Sequence, residues 1–122
     1  MATTTESPLN AQTVHLWWAT DRGLTSERLK SLYLDWLTPE EKTRYGRYMF
    51  QKDADLYLLT RALCRKVLSQ YADVKPVEWT FQANQYGKPS IHHPIEARHI
   101  HFNLTNTPGF VACMVSDRYP VG

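Results

Sequence analysis

Near Ala72 the spacing of apolar residues changes from three-and-four to two, and few folds accommodate both patterns in one short chain. In TSERLKSLYLDWL, Leu29, Leu32, Tyr33 and Trp36 recur at the offsets that lay an apolar stripe along one helix face. In QKDADLYLLTRALCRKVLSQYA, Leu56, Leu59, Leu63 and Val67 do the same, predicting a long amphipathic helix that closes near Ala72. Between these, Thr38-Pro39-Glu40-Glu41 sets an N-cap Thr before a Pro at the first helical position and a Glu at the capping-box position. A further helix therefore starts at Thr38. Beyond Ala72, VEWTFQ, HIHFNL and GFVACMVS read as strands and NQYGKP as a turn, with Gly87 and Gly109 at positions suited to positive φ. TVHLWWA, residues 13–19, is aromatic and β-branched and reads as an earlier strand. Helices largely preceding the last strands predict an α+β layer in which the long helix packs on a small, mostly antiparallel sheet.

A chain of 122 residues, 43% hydrophobic and 21% charged, has enough material for one hydrophobic core. Residues 1–12 are small and polar and are expected to form a flexible tail, leaving 13–122 as the domain. No apolar run approaches the roughly 20 residues that span a bilayer, and the N-terminus lacks the basic start and apolar middle of a signal peptide, so a cytoplasmic protein without membrane partners is expected. Cys64 falls in a helical pattern and Cys113 in a strand pattern, which favours buried free thiols over a disulfide. His92, His93, His99 and His101 lack matching Cys or carboxylate spacing, so no metal site is expected from them.

The formal charge of +2 is too small to argue for nucleic acid. Its distribution is more informative. Lys42, Arg44, Arg47, Lys52, Arg61, Arg65 and Lys66 crowd the middle of the chain, where they favour a phosphorylated ligand. Three polar spots stand out, each with an ordinary alternative. Arg44 with Lys42 and Arg47 partly share a face of the capped helix, which a merely solvated face would also explain. QYGKP, residues 85–89, combines a tight turn with a cation, although a bare turn is the commoner meaning. Asn103, Thr105, Asn106 and Thr107 lie between two apolar strands, where such side chains either cap neighbouring backbone or cradle a phosphate.

Taken in order, LTPEEKTRYGRYMFQKDADLYLLTRALCRKVL, QYGKPSI and HFNLTNTPGFVACMVSDRYPVG resemble the N-terminal half of Sfp-type 4′-phosphopantetheinyl transferases, from about Leu16 to Gly122. The pairing of Y-G-K-P with F-N-[IL]-[ST]-x-[ST] at this separation carries the resemblance. It implies half of a pseudo-dimer of two α+β halves that hold coenzyme A and Mg²⁺ in the cleft between them. The intact enzymes, acting in fatty acid, polyketide and nonribosomal peptide synthesis, move phosphopantetheine from coenzyme A to a serine of an apo acyl or peptidyl carrier protein. By the same resemblance Arg44 faces the nucleotide's phosphates, Gly87 and Lys88 lie at the adenosine end of coenzyme A, and Thr105 and Asn106 stand in place of a Ser-His pair. Asn106 keeps a hydrogen-bond donor but not the cation.

Two further departures qualify the likeness. Glu41 stands where some relatives carry a Lys for the 3′-phosphate, and it is expected to repel that phosphate unless it is spent on capping its own helix. The sequence also stops at Val121-Gly122, just before the family's Mg²⁺-binding and catalytic carboxylates. The expectation is therefore a truncated chain with no catalytic residue and no metal ligand of its own, inactive alone and prone to self-association through an exposed half-cleft face. The alternative is a non-catalytic module that binds RNA or protein through the basic helix and Trp17, Trp18 or Tyr86.

Overall fold

A computed structural model describes residues 13–117 together with the backbone of Ala2 and Thr3. The remainder of the expected 1–12 tail, and the terminal Val121-Gly122, lie outside the described residues. Strands β1 (Ala2–Thr3) and β2 (Val14–Thr20) come first, followed by helices α1 (Ser26–Tyr33), α2 (Pro39–Gly46) and α3 (Gln51–Leu68). Strands β3 (Thr80–Ala83), β4 (Pro89–His93), β5 (Ile100–Thr107) and β6 (Phe110–Asp117) complete the order. Four strands form an antiparallel sheet in the order β1-β2-β6-β5, and β3-β4 is a separate hairpin. The architecture is α+β, as the change of period predicts.

The core lies between α3 and the inner face of the four-stranded sheet. Period two sends Ala19 of β2, Phe102 of β5 and Val111, Cys113 and Val115 of β6 to that face, where they meet Leu58, Leu59, Leu63 and Val67. Burying each such Val, Leu or Phe side chain contributes about 1.5–3 kcal/mol. Helix α3 is buried well beyond one stripe, because α1, α2 and the segment Pro76–Glu78 before β3 cover its remaining sides. Cys64 and Cys113 are both free and buried. Burial pushes the Cys64 thiol up to about 12, so it does not ionise at neutral pH. Among the described residues no helix is long and apolar enough to cross a membrane.

Three local expectations need correction. Helix α3 ends at Leu68 rather than near Ala72, because Gln70 and Tyr71 turn back onto the Val67 and Leu68 carbonyls. Tyr71 leaves the helix to place its hydroxyl 2.7 Å from His15 Nδ1 and 2.6 Å from Trp17 Nε1, a pairing that local periodicity does not encode. Strand β4 has no signature in the sequence, since PSIHH buries only Ile91 and shows no clear alternation. Lastly, the polar residues 103–107 are not a turn but the end of β5, and the turn itself is Pro108-Gly109.

That turn requires its glycine. Gly109 sits at φ 80°, and a Cβ added there would lie 3.2 Å from Asp21 Oδ1. The same turn accepts a hydrogen bond from Asp21 N at Gly109 O, 3.2 Å, joining the hairpin to the end of β2. Gly109→Ala is expected to lower stability by about 1–2 kcal/mol through left-handed strain, read from the urea midpoint. An unchanged midpoint would show that the turn relaxes at no cost.

Candidate functional site

The site begins at the capping box. Thr38 Oγ1 accepts from Glu41 N at 3.2 Å and Glu41 Oε1 accepts from Thr38 N at 2.9 Å, which fixes where α2 starts and where Glu41 faces. Glu41 then meets α3: its Oε1 pairs with Arg65 Nη2, and its Oε2 lies 3.8 Å from Arg61 Nε. Arg65 is fully buried and donates through Nη1 to the carbonyls of Pro76 at 2.9 Å and Trp79 at 2.7 Å. One guanidinium thus joins α2, α3 and the approach to β3.

One turn beyond Glu41, Arg44 lies 5.5 Å from the centre of the Tyr57 ring, and Arg61 lies 5.3 Å from the same ring. Burial, opposed by Arg61, pushes the Tyr57 hydroxyl above its usual range, so it remains a neutral donor. These residues, with Thr38, Phe81, Gln82 and Gly87, line a groove of about 460 Å³ between α2, α3 and the β3-β4 hairpin. Arg61 Nε and Glu41 Oε2, 3.8 Å apart, are both buried there without a hydrogen-bond partner among the described residues. The groove thus offers an anion the Arg44 and Arg61 guanidiniums and the Tyr57 hydroxyl, beside the carboxylates of Glu40 and Glu41, of which Glu41 Oε1 is engaged by Arg65 and by its own helix start.

Residues 25–117 match the family model described as 4′-phosphopantetheinyl transferase, N-terminal. The chain belongs to that family. It is 34% identical over 86 residues to the 4′-phosphopantetheinyl transferase gsp of Aneurinibacillus migulanus, a match covering 70% of this chain and 34% of that protein. It is 29% identical over 102 residues to the 4′-phosphopantetheinyl transferase Sfp of Bacillus subtilis (strain 168), covering 84% of this chain and 43% of that protein. The chain thus spans less than half the length of these relatives. Its fold is similar to that of the holo-[acyl-carrier-protein] synthase of Helicobacter pylori, solved in complex with coenzyme A. That similarity has a TM-score of 0.54 and 13% identity, and covers 86% of this chain and 99% of the other.

In this chain the five candidate residues do not fall into one cluster. Arg44 and Gly87 share the groove. Lys88 lines an adjoining hollow of about 350 Å³ with Gln82, Arg98 and His101. The turn that carries both is tied by Asn84, whose Oδ1 accepts from Tyr86 N at 2.9 Å and Lys88 N at 3.0 Å. Gly87 sits at φ 81° with open space where a Cβ would be, so conformation rather than crowding explains the glycine. Thr105 and Asn106 are successive residues of β5 and point to opposite faces. Thr105 lies opposite Ala112, whereas Asn106 Nδ2 donates to Thr60 Oγ1 of α3 at 3.1 Å.

Glu41 is spent on capping, as the sequence suggested, and also on two arginines. Tyr57 and Arg61 line the groove without having been singled out by the sequence motifs, although with the buried Arg65 their spacing of four along α3 marks one helix face. Of the aromatics considered for partner binding, Trp17 is engaged by Tyr71, Trp18 stacks on Phe110 with ring centres 6.1 Å apart, and Tyr86 is exposed.

Proposed function

We propose that this chain forms the coenzyme A-facing wall of a phosphopantetheinyl transferase that loads 4′-phosphopantetheine from coenzyme A onto a serine of an apo carrier protein. The observation that carries the reading is the groove in which Arg44 and Arg61 flank Tyr57, in a chain of this family. The guanidiniums would hold the phosphates of the nucleotide by charge-assisted hydrogen bonds, and Tyr57 would donate beside them. Gly87 and Lys88 would border the adenosine end. Thr105 and Asn106 would approach the ligand from the edge strand β5, Asn106 being positioned by Thr60.

The residues described here do not fit Mg²⁺, since none of their His, Cys, Asp and Glu side chains forms a group of three or more arranged to hold a metal ion. In this reading, the carboxylates that bind Mg²⁺ and deprotonate the carrier serine belong to a second half, in keeping with relatives more than twice the matched length. On the outer sheet face, turned away from α3, Val14, Leu16, Trp18, Phe110 and Met114 are exposed together. The same apolar face accounts for the self-association expected of the chain alone.

The deciding experiment is calorimetric titration of the purified chain with coenzyme A and with adenosine 3′,5′-bisphosphate. Both are expected to bind, to compete, and to weaken as salt is raised. Absence of binding by either compound would overturn the reading. The isolated chain is expected to form no holo-carrier with Mg²⁺ present.

A further inference from the structure

The run of residues 42–52 carries Lys42, Arg44, Arg47 and Lys52 and no carboxylate. It contains the turn between α2 and α3, and that turn displays two adjacent apolar side chains, Met49 at 88% and Phe50 at 57% exposure. Exposed apolar neighbours are ordinary on a loose loop, but this turn is held at both ends. Arg47 N donates to Arg44 O at 3.1 Å, and the Tyr48 ring centre lies 5.5 Å from that of Tyr57. On the other side, Phe50 O accepts from Asp53 N at 3.1 Å and Ala54 N at 3.2 Å at the start of α3. Met49 and Phe50 therefore project from a rigid support.

Charge decides what kind of surface fits. Lys42 has a solvent-exposed partner in Asp35 at 3.8 Å, but Arg47 makes no ion pair among the described residues. A partner that supplies an apolar socket rimmed by carboxylates would complement both features at once. Arg44 and Tyr57, which brace the turn, also line the groove, so a body seated on Met49 and Phe50 adjoins the proposed nucleotide site.

We propose that the α2–α3 turn is a docking knob for an acidic protein, with Met49 and Phe50 entering its apolar socket and Arg47 pairing with the surrounding carboxylates. The inference rests on the function proposed above, under which that protein is the apo carrier, and it names where the carrier touches this chain. Docking at this turn places the partner beside the groove without using any groove residue for its recognition.

The test titrates the full chain with a purified apo acyl carrier protein, using Met49→Asp, Phe50→Asp and Arg47→Glu. Adenosine 3′,5′-bisphosphate is titrated into the same preparations. Each variant is expected to bind the carrier about tenfold or more weakly, as for the central residues of an interface, with nucleotide affinity and melting temperature unchanged. The wild-type interaction is expected to weaken with salt. Carrier affinity indifferent to all three variants, or a chain that binds nucleotide but no carrier, would overturn the docking surface. So would binding to phosphatidylserine vesicles with the same dependence on Met49 and Arg47, which would assign the knob to an anionic membrane. A chain that binds the carrier through Met49 but binds no nucleotide would uphold the knob and overturn the nucleotide reading alone.

Discussion

Arg65→Met is expected to cost about 3–5 kcal/mol of folding stability, because removing one member of a buried ion pair leaves the other uncompensated. Arg65 is entirely shielded from water and answers three oxygens at once: Glu41 Oε1 and the carbonyls of Pro76 and Trp79. Its guanidinium also lies 5.3 Å from the Phe81 ring centre, so methionine retains some packing but satisfies none of those acceptors. The loss should appear as a lower urea midpoint with an unchanged slope. Arg65→Met combined with Glu41→Gln is expected to recover part of it, since the buried carboxylate is then neutral. A single variant that loses less than about 1 kcal/mol would mean that water reaches Glu41 and that the pair does not hold α2 against α3.

Arg44→Ala is expected to weaken adenosine 3′,5′-bisphosphate binding by about ten- to a hundredfold, the worth of one hydrogen bond to a charged group. Arg44 is exposed and accepts no structural duty beyond its approach to Tyr57, so stability should barely change. Arg61→Ala is expected to weaken binding by a similar factor and also to remove a neighbour of Glu41. Lys52→Ala serves as the comparison. Lys52 lines a different hollow with Asp21, Asp53 and Asp55, and its loss should leave the affinity unchanged. Equal losses from Arg44 and Lys52 would show that only the general positive field attracts the nucleotide, and the groove would lose its assignment.

The two predictions separate what is structural from what is functional in one basic cluster. Composition alone groups Arg44, Arg61 and Arg65 together. Their burial divides them: Arg65 is closed off within the fold, Arg61 is half-buried at the groove, and Arg44 is open to it. Such a division depends on which side of α3 each residue occupies and on what packs there. Net charge does not contain that information.

Glu41 makes the same point from a carboxylate. Its capping role follows from Thr38-Pro39-Glu40-Glu41, because a capping box closes within one turn of chain. Its pairing with Arg65 joins residues 24 apart in sequence and required α2 to be laid across α3. The expected repulsion of a phosphate by Glu41 is thereby met by two guanidiniums. A one-dimensional comparison of that position with a lysine could not register the compensation.

The amino-acid sequence by itself determined the α+β class, the start of α2 at Thr38, the strand character of β2, β5 and β6, and the positive-φ glycines at 87 and 109. These features arise from capping, side-chain period and glycine's freedom, all of which act over a few residues. Only the tertiary structure decided that Arg44 and Gly87 share a groove while Lys88 lines another, that Tyr57 and Arg61 join the first, and that Thr105 and Asn106 face opposite ways. Those outcomes depend on how a hairpin is set against two helices and where an edge strand meets α3. The contacts that decide them lie far apart along the chain, and only packing brings them together.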